Sequence, residues 1–180
     1  ITVNDCSCPV INIDPIVDQC ITNTSIDLNN ILLASSPGIW TLEGPDPSSL
    51  DIQNNENLLI NEFSVAGDYT LTFAFDDVSM VPQGCETEAS VSFMLMAAPS
   101  AEIVTSVLAC NLAGGSQPSI VDLDAMFIDG STGIWTTTEA GITINTDNDI
   151  DFGNATPGDY TIVFTTDSAQ QPCFDQSYEL

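Results

Sequence analysis

The chain says the same thing twice. Ser25-Ile26-Asp27-Leu28-Asn29 returns as Ile120-Val121-Asp122-Leu123-Asp124, and Gly38-Ile39-Trp40-Thr41 returns as Gly133-Ile134-Trp135-Thr136. Ala66-Gly67-Asp68-Tyr69-Thr70-Leu71-Thr72-Phe73 returns as Pro157-Gly158-Asp159-Tyr160-Thr161-Ile162-Val163-Phe164. Cys20 matches Cys110 and Cys85 matches Cys173, in the same order, with offsets from 88 (Cys85 to Cys173) to 95 (Trp40 to Trp135). Four anchors in register do not arise by chance, so a unit of roughly 90 residues must fold, and must do so twice.

Within each unit the pattern is that of strands. Tyr69-Thr70-Leu71-Thr72-Phe73 and Val91-Ser92-Phe93-Met94-Leu95 alternate with period two, as half-buried strands do. Gly, Pro, Asn and Asp interrupt the runs about every 8 to 12 residues, and no stretch shows helical periodicity. The first unit predicts strands near residues 11–17, 25–33, 38–42, 50–53, 58–63, 67–76 and 88–96, and the second follows the same plan. The expected fold is all-β, two tandem immunoglobulin-like β-sandwich domains of about seven strands each. Their bounds are 9–98 and 99–180. Trp40 and Trp135 fall mid-strand after a Gly turn, where a sandwich core takes one large ring. Tyr69 and Tyr160 follow Gly-Asp at the start of a long strand, the place of a tyrosine corner. All four read as core residues that specify fold.

The six cysteines suit an oxidising compartment. Equivalence in the repeat makes Cys20–Cys85 and Cys110–Cys173 the expected bridges, each closing a loop worth about 4 kcal/mol by the chain-entropy argument. Cys6 and Cys8 align with Met96 and Ala98 and have no counterparts. They read as bridging each other or another chain. A soft metal site is the lesser reading, since it would want four ligands.

The chain has no Lys, Arg or His and 26 Asp and Glu, a formal net charge of -26. With no side-chain cation it cannot form ordinary salt bridges or grip phosphates, and it has no imidazole or amine for acid–base or Schiff-base chemistry. Nucleic acid and anionic membrane surfaces are therefore not expected partners. No apolar run nears the roughly 20 residues of a membrane span. The sequence starts inside a strand-like pattern, with no initiating Met or basic leader, and reads as a mature or excised segment.

Among the carboxylates, Asp147, Asp149 and Asp151 stand before Gly153 in an Asp-x-Asp-x-Asp-x-Gly run that looks like a calcium loop. It lacks the bidentate Glu at the twelfth place, where Gly158 stands. The competing reading is a polar hairpin turn. No cofactor is expected beyond Ca2+ at this run or held loosely by the negative surface. No motif sets two acids in a cleft, so an enzyme is not expected. Asn23-Thr24-Ser25 and Asn154-Ala155-Thr156 match the glycosylation triplet, a weak signal.

The two units differ at their ends. The first closes with a strand from Cys85 through Met96 to Pro99, whereas only seven residues follow Cys173. Ile1-Thr2-Val3-Asn4 looks like the missing half, and Pro9 to Cys20 matches Pro99 to Cys110 in length. Ile1, Thr2, Val3, Tyr178 and Leu180 are thus the expected unit junction, residues 1–8 completing the last strand of an adjacent unit. That junction is either covalent continuity in a longer array or strand exchange between copies.

The order Gly-x-Trp-Thr, Gly-Asp-Tyr-Thr-hydrophobic-x-Phe, then Cys resembles the Ig-like and PKD-like repeats of large bacterial surface and secreted proteins. The Trp-Asp-Phe-Gly-Asp-Gly signature of PKD repeats is absent. The resemblance implies an extracellular or cell-surface structural module forming a filament, stalk or matrix with copies of itself. The alternative is a calcium- or glycan-dependent adhesin module. The lysine–asparagine cross-links of some such proteins are impossible here.

Overall fold

The computed structural model describes residues 7–22 and 24–180. The chain divides into two compact units, Ile1–Ala97 and Ala98–Leu180, and both are built from strands and short turns.

In the first unit the strands are β1 (Ile11–Ile13), β2 (Gln19–Cys20), β3 (Thr24–Asp27), β4 (Leu32–Ala34), β5 (Gly38–Glu43), β6 (Asp51–Gln53), β7 (Asn57–Ile60), β8 (Gly67–Phe75) and β9 (Glu88–Met96). One sheet runs β2-β9-β8-β5, a second runs β3-β7-β6, and β1 pairs with β4. All pairings are antiparallel except β2 on β9, which is parallel. Residues of both larger sheets close one core, including Trp40, Leu58, Ile60, Tyr69, Leu71, Phe73, Phe93 and Leu95, which makes the unit a β-sandwich.

Two segments expected as single strands are each broken in two. The run 11–17 stops at Ile13, short of Pro15, which lacks the N–H a ladder needs, and β2 resumes in the other sheet. The run 25–33 is interrupted by one helical turn, Leu28–Ile31, because Asp27 caps it with a carboxylate that accepts from the Asn29 N–H. The unit therefore has nine short strands among its described residues.

The second unit has β10 (Ile120–Asp122), β11 (Gly133–Thr136), β12 (Asp149–Asp151), β13 (Val163–Thr166) and β14 (Ser177–Glu179). β10 pairs with β12, and β11-β13-β14 form a three-stranded antiparallel sheet. Its core holds Val121, Leu123, Trp135, Ile142, Ile150, Ile162 and Phe164.

The Gly-x-Trp repeat has one physical cause in both units. Trp40 lies opposite Phe73 and Trp135 opposite Phe164, with ring centroids 5.3 Å and 5.0 Å apart. A Cβ on Gly38 would stand 2.2 Å from the Ala74 carbonyl oxygen and 2.6 Å from the Phe73 ring. On Gly133 it would stand 2.2 Å from the Thr165 oxygen and 2.5 Å from the Phe164 ring. Only glycine lets the two strands and the ring close together there.

Candidate functional site

The tyrosine hydroxyls tie back to the backbone four residues upstream in both units. Tyr69 donates to the Val65 carbonyl at 2.8 Å and reaches the Asp46 carbonyl at 3.3 Å. Tyr160 donates to the Thr156 carbonyl at 2.6 Å. Trp40 and Trp135 are both buried. The tyrosines differ in cover: Tyr69 is fully buried and stacks on Phe93, at 5.9 Å, whereas Tyr160 is half-buried and meets Phe152 edge-on at 5.5 Å.

The cysteine pairing expected from the repeat is overturned. Cys85 is bonded to Cys8, with Cα atoms 5.4 Å apart, and not to Cys20. The register explains why. Cys20 pairs beside Met96, at the far end of β9 from Cys85, and a nine-residue strand at about 3.3 Å per residue separates the two ends by nearly 30 Å. Cys110 is a free thiol, so the Cys110–Cys173 bridge is also overturned. Cys173 sits in the β13–β14 connection, beyond Thr166, whereas Cys110 borders the groove that Ile162 and Leu180, at the other end of that hairpin, also line. Cys20 and Cys173 are each disulfide-bonded. Cys6 and the junction residues Ile1, Thr2 and Val3 lie outside the described residues, as does Asn23 of the first glycosylation triplet.

The three aspartates before Gly153 are not brought together. Asp149 and Asp151 lie on β12, and Asp147 lies in the preceding turn. The turn is organised by Asn145, whose side-chain oxygen accepts from the Asp147 and Asp149 N–H groups at 2.8 Å and 2.9 Å. Asp151 accepts from the Gly153 N–H at 2.8 Å. That is the chemistry of a polar hairpin turn. Among the described residues no group of three or more acidic, Cys or His side chains converges on one point.

Sequence reading missed Asn55. Its side chain accepts from the Trp40 N–H at 2.7 Å and donates to the Gly38 carbonyl at 2.8 Å, so the β6–β7 turn of one sheet is fastened to β5 of the other. Asn54 and Asn55 both take positive φ, 52° and 61°, and the Asn-Asn pair was the available signal for that turn.

The second unit carries an open groove of about 720 Å³, with Val121, Leu123, Ile150, Tyr160 and Ile162 among the residues lining it. Segments 105–111 and 155–162 also border it, together with Glu179 and Leu180. Tyr178 and Leu180, expected at a unit junction, face inward here: both are half-buried, while Ser177 and Glu179 are exposed. Leu180 exchanges two backbone hydrogen bonds with Ile162, at 2.9 Å and 3.1 Å. β14 is the edge of its sheet.

No known protein family profile matches the chain, and no curated protein matches it. Among solved structures it is similar to Drosophila OTK, extracellular domains 3-5, at 9% identity and a TM-score of 0.36, over 97% of this chain and 60% of that one. The chain thus spans about 60% of the length of that structure. Among the described residues no helix is long and apolar enough to cross a membrane.

Proposed function

We propose that the chain is a non-enzymatic structural module of the cell exterior, two immunoglobulin-like sandwiches that join copy to copy into a filament, stalk or matrix. The observation that carries this reading is the repetition of one unit along the chain: the glycine that closes on the tryptophan strand and the tyrosine hydroxyl tied to the backbone recur in both halves. Modules repeated in this way are suited to stacking into extended arrays. The immunoglobulin-like assignment draws support from the parallel β2–β9 edge, the sheet orders and the repeated tyrosine tie. Oxidised cysteines support an extracellular setting. The absence of Lys, Arg and His argues against nucleic-acid partners and leaves trypsin-like proteases no site in any copy. The alternative is a calcium- or glycan-dependent adhesin module; in it neither indole would stack on a sugar, since both are buried.

The test is negative-stain microscopy of native material, with mass measured under reducing and non-reducing conditions. Long polymers of regular repeat are expected. Uniform single particles at every concentration and ionic strength would overturn the reading.

A further inference from the structure

The same edge strand of the repeat is closed in the first unit and open in the second. β5 and β11 hold the equivalent Gly-Ile-Trp-Thr runs, and each is the outer strand of its sheet. On β5 the Trp40 N–H and the Gly38 carbonyl are both taken up by the Asn55 amide, at 2.7 Å and 2.8 Å. One side chain thus supplies the acceptor and the donor that a neighbouring strand would, and blunts the edge. β11 presents the same two groups. Ile162 exchanges hydrogen bonds with Leu180, and the Thr166 N–H donates to the Gln176 carbonyl, so the even-numbered residues of this segment direct their backbone groups toward β14. The odd-numbered Val163 and Thr165 serve β11, through Thr136 and Ile134. Gly133 and Trp135 therefore point their backbone groups outward. Among the described residues neither the Trp135 N–H nor the Gly133 carbonyl has a hydrogen-bond partner.

The place of Asn55 is held by Asp147. The Leu28 N–H donates to the Glu56 carbonyl, and that of its equivalent Leu123 donates to the Asn148 carbonyl. Gln53 pairs with Asn57, and the Asn145 N–H donates to the Asp149 carbonyl, so Asn55 and Asp147 each stand in the middle of a three-residue loop. A carboxylate has no hydrogen to give the Gly133 carbonyl. The turn differs as well: the positive φ values of Asn54 and Asn55 are replaced by one at Asn148. Gly133 is half-buried where Gly38 is buried, and Ile134 beside it is 62% exposed.

We infer that β11 is a pairing edge for β11 of a second copy, the two strands running antiparallel about a two-fold axis at Trp135. In that register each Trp135 N–H donates to the Trp135 carbonyl of the other copy, and each Gly133 carbonyl accepts from the Thr137 N–H. Ile134 lies opposite Thr136, which covers its exposed side chain. Charge selects this occupant. The run Gly130–Thr138 contains no Asp or Glu in a chain with 26 of them and no cation, so this edge can meet its own copy without setting carboxylate against carboxylate. A two-fold contact of this kind is self-complementary and closes at two copies. The inference does not rest on the end-to-end joining proposed above and adds a lateral contact to it.

The test compares the full chain with two variants, Ile134→Asp and the double change Thr146→Asn with Asp147→Asn, which rebuilds the Asn-Asn turn of the first unit. Each is followed by sedimentation at high ionic strength, where screening weakens the repulsion between acidic copies, and by amide hydrogen exchange. The full chain should form dimers. Its Trp135 amide should exchange quickly when dilute and become protected as concentration rises, while the Trp40 amide, held by Asn55, stays protected throughout. Ile134→Asp should weaken dimerisation at least about tenfold, because it sets a carboxylate into the contact. The rebuilt turn should give a monomer whose Trp135 amide is protected at every concentration. A full chain that stays monomeric, or dimers whose Trp135 amide exchanges as quickly as the monomer's, would overturn the inference. Long polymers with that amide still open would overturn it and leave the module reading standing, and dimers without polymers would do the reverse. Circular dichroism separates lost pairing from lost folding, and Ile134→Asp, an exposed position, decides the matter if the rebuilt turn misfolds.

Discussion

Replacing Tyr69 by Phe and, separately, Tyr160 by Phe removes the same hydroxyl from the same motif in two settings. Tyr69 is 0% exposed, and its hydroxyl serves the Val65 carbonyl at 2.8 Å and the Asp46 carbonyl at 3.3 Å, with Ser49 Oγ at 3.5 Å. Losing one net hydrogen bond costs about 1 kcal/mol, and leaving partly buried carbonyls without a donor adds about 1 to 2 kcal/mol. The expected loss is therefore about 2 to 3 kcal/mol. Tyr160 makes one such bond, to the Thr156 carbonyl, on an exposed face where water can replace the hydroxyl. Its loss should be about 0.5 to 1 kcal/mol. For units of this size each kcal/mol moves Tm by about 4 to 8 °C, so the first unit should melt at least about 8 °C lower and the second about 2 to 8 °C lower. Each unit holds one tryptophan, Trp40 or Trp135. The two indole N–H signals in a thermal NMR series therefore report the two transitions separately. Equal losses in both variants, or a larger loss in Tyr160→Phe, would refute the argument that cover sets the worth of this hydroxyl.

Gly38→Ala and Gly133→Ala should each destabilise their own unit by about 2 to 3 kcal/mol in urea titration, because the added methyl meets a backbone oxygen that cannot step aside. A loss below about 0.5 kcal/mol would show that the strands relax freely. Replacing Cys8 and Cys85 together by Ser opens a link spanning a sequence separation of 77 and should cost the first unit about 4.5 kcal/mol. Unchanged urea midpoints would count against the bridge. With 26 carboxylates and no cation, every long-range charge term is repulsive. Raising salt from about 0.01 M to 1 M, which shortens the screening length from about 30 Å to 3 Å, should raise both melting temperatures. A fall would contradict the charge argument. Asp77 and Asp129 are held below the ordinary carboxylate value chiefly by the hydroxyls of Ser79 and Ser131, each donating at 2.6 Å. A lowered folded-state pKa means their contribution is complete above the ordinary carboxylate range and disappears as pH falls through the folded values. Carboxyl NMR titration should place their midpoints below the ordinary aspartate value, and midpoints at that value would refute it.

The strands were legible because alternation is local. Tyr69 to Phe73 and Val91 to Leu95 alternate by themselves, and the structure places them on adjacent antiparallel strands. The breaks at Pro15 and Asp27 were within reach of the same local chemistry, since a missing N–H and a capping carboxylate are visible in sequence. The bridges were not legible. Repeat equivalence says that two cysteines occupy matching places, and it says nothing of their distance. The parallel seating of β2 beside the end of β9 put Cys20 out of reach of Cys85. Asn55 was invisible for a similar reason: a turn residue fastens β5 only once two sheets are stacked.

Sequence alone determined the doubled unit, its strand chemistry, the glycine before each tryptophan and the purely negative charge, because each is a property of residues or of their spacing. Tertiary structure decided which thiols meet and which tyrosine is sealed. Those outcomes depend on register between segments far apart in the chain, and register is fixed only when the core closes. The same Gly-Asp-Tyr motif is thus a buried tie in one unit and the wall of an open groove in the other.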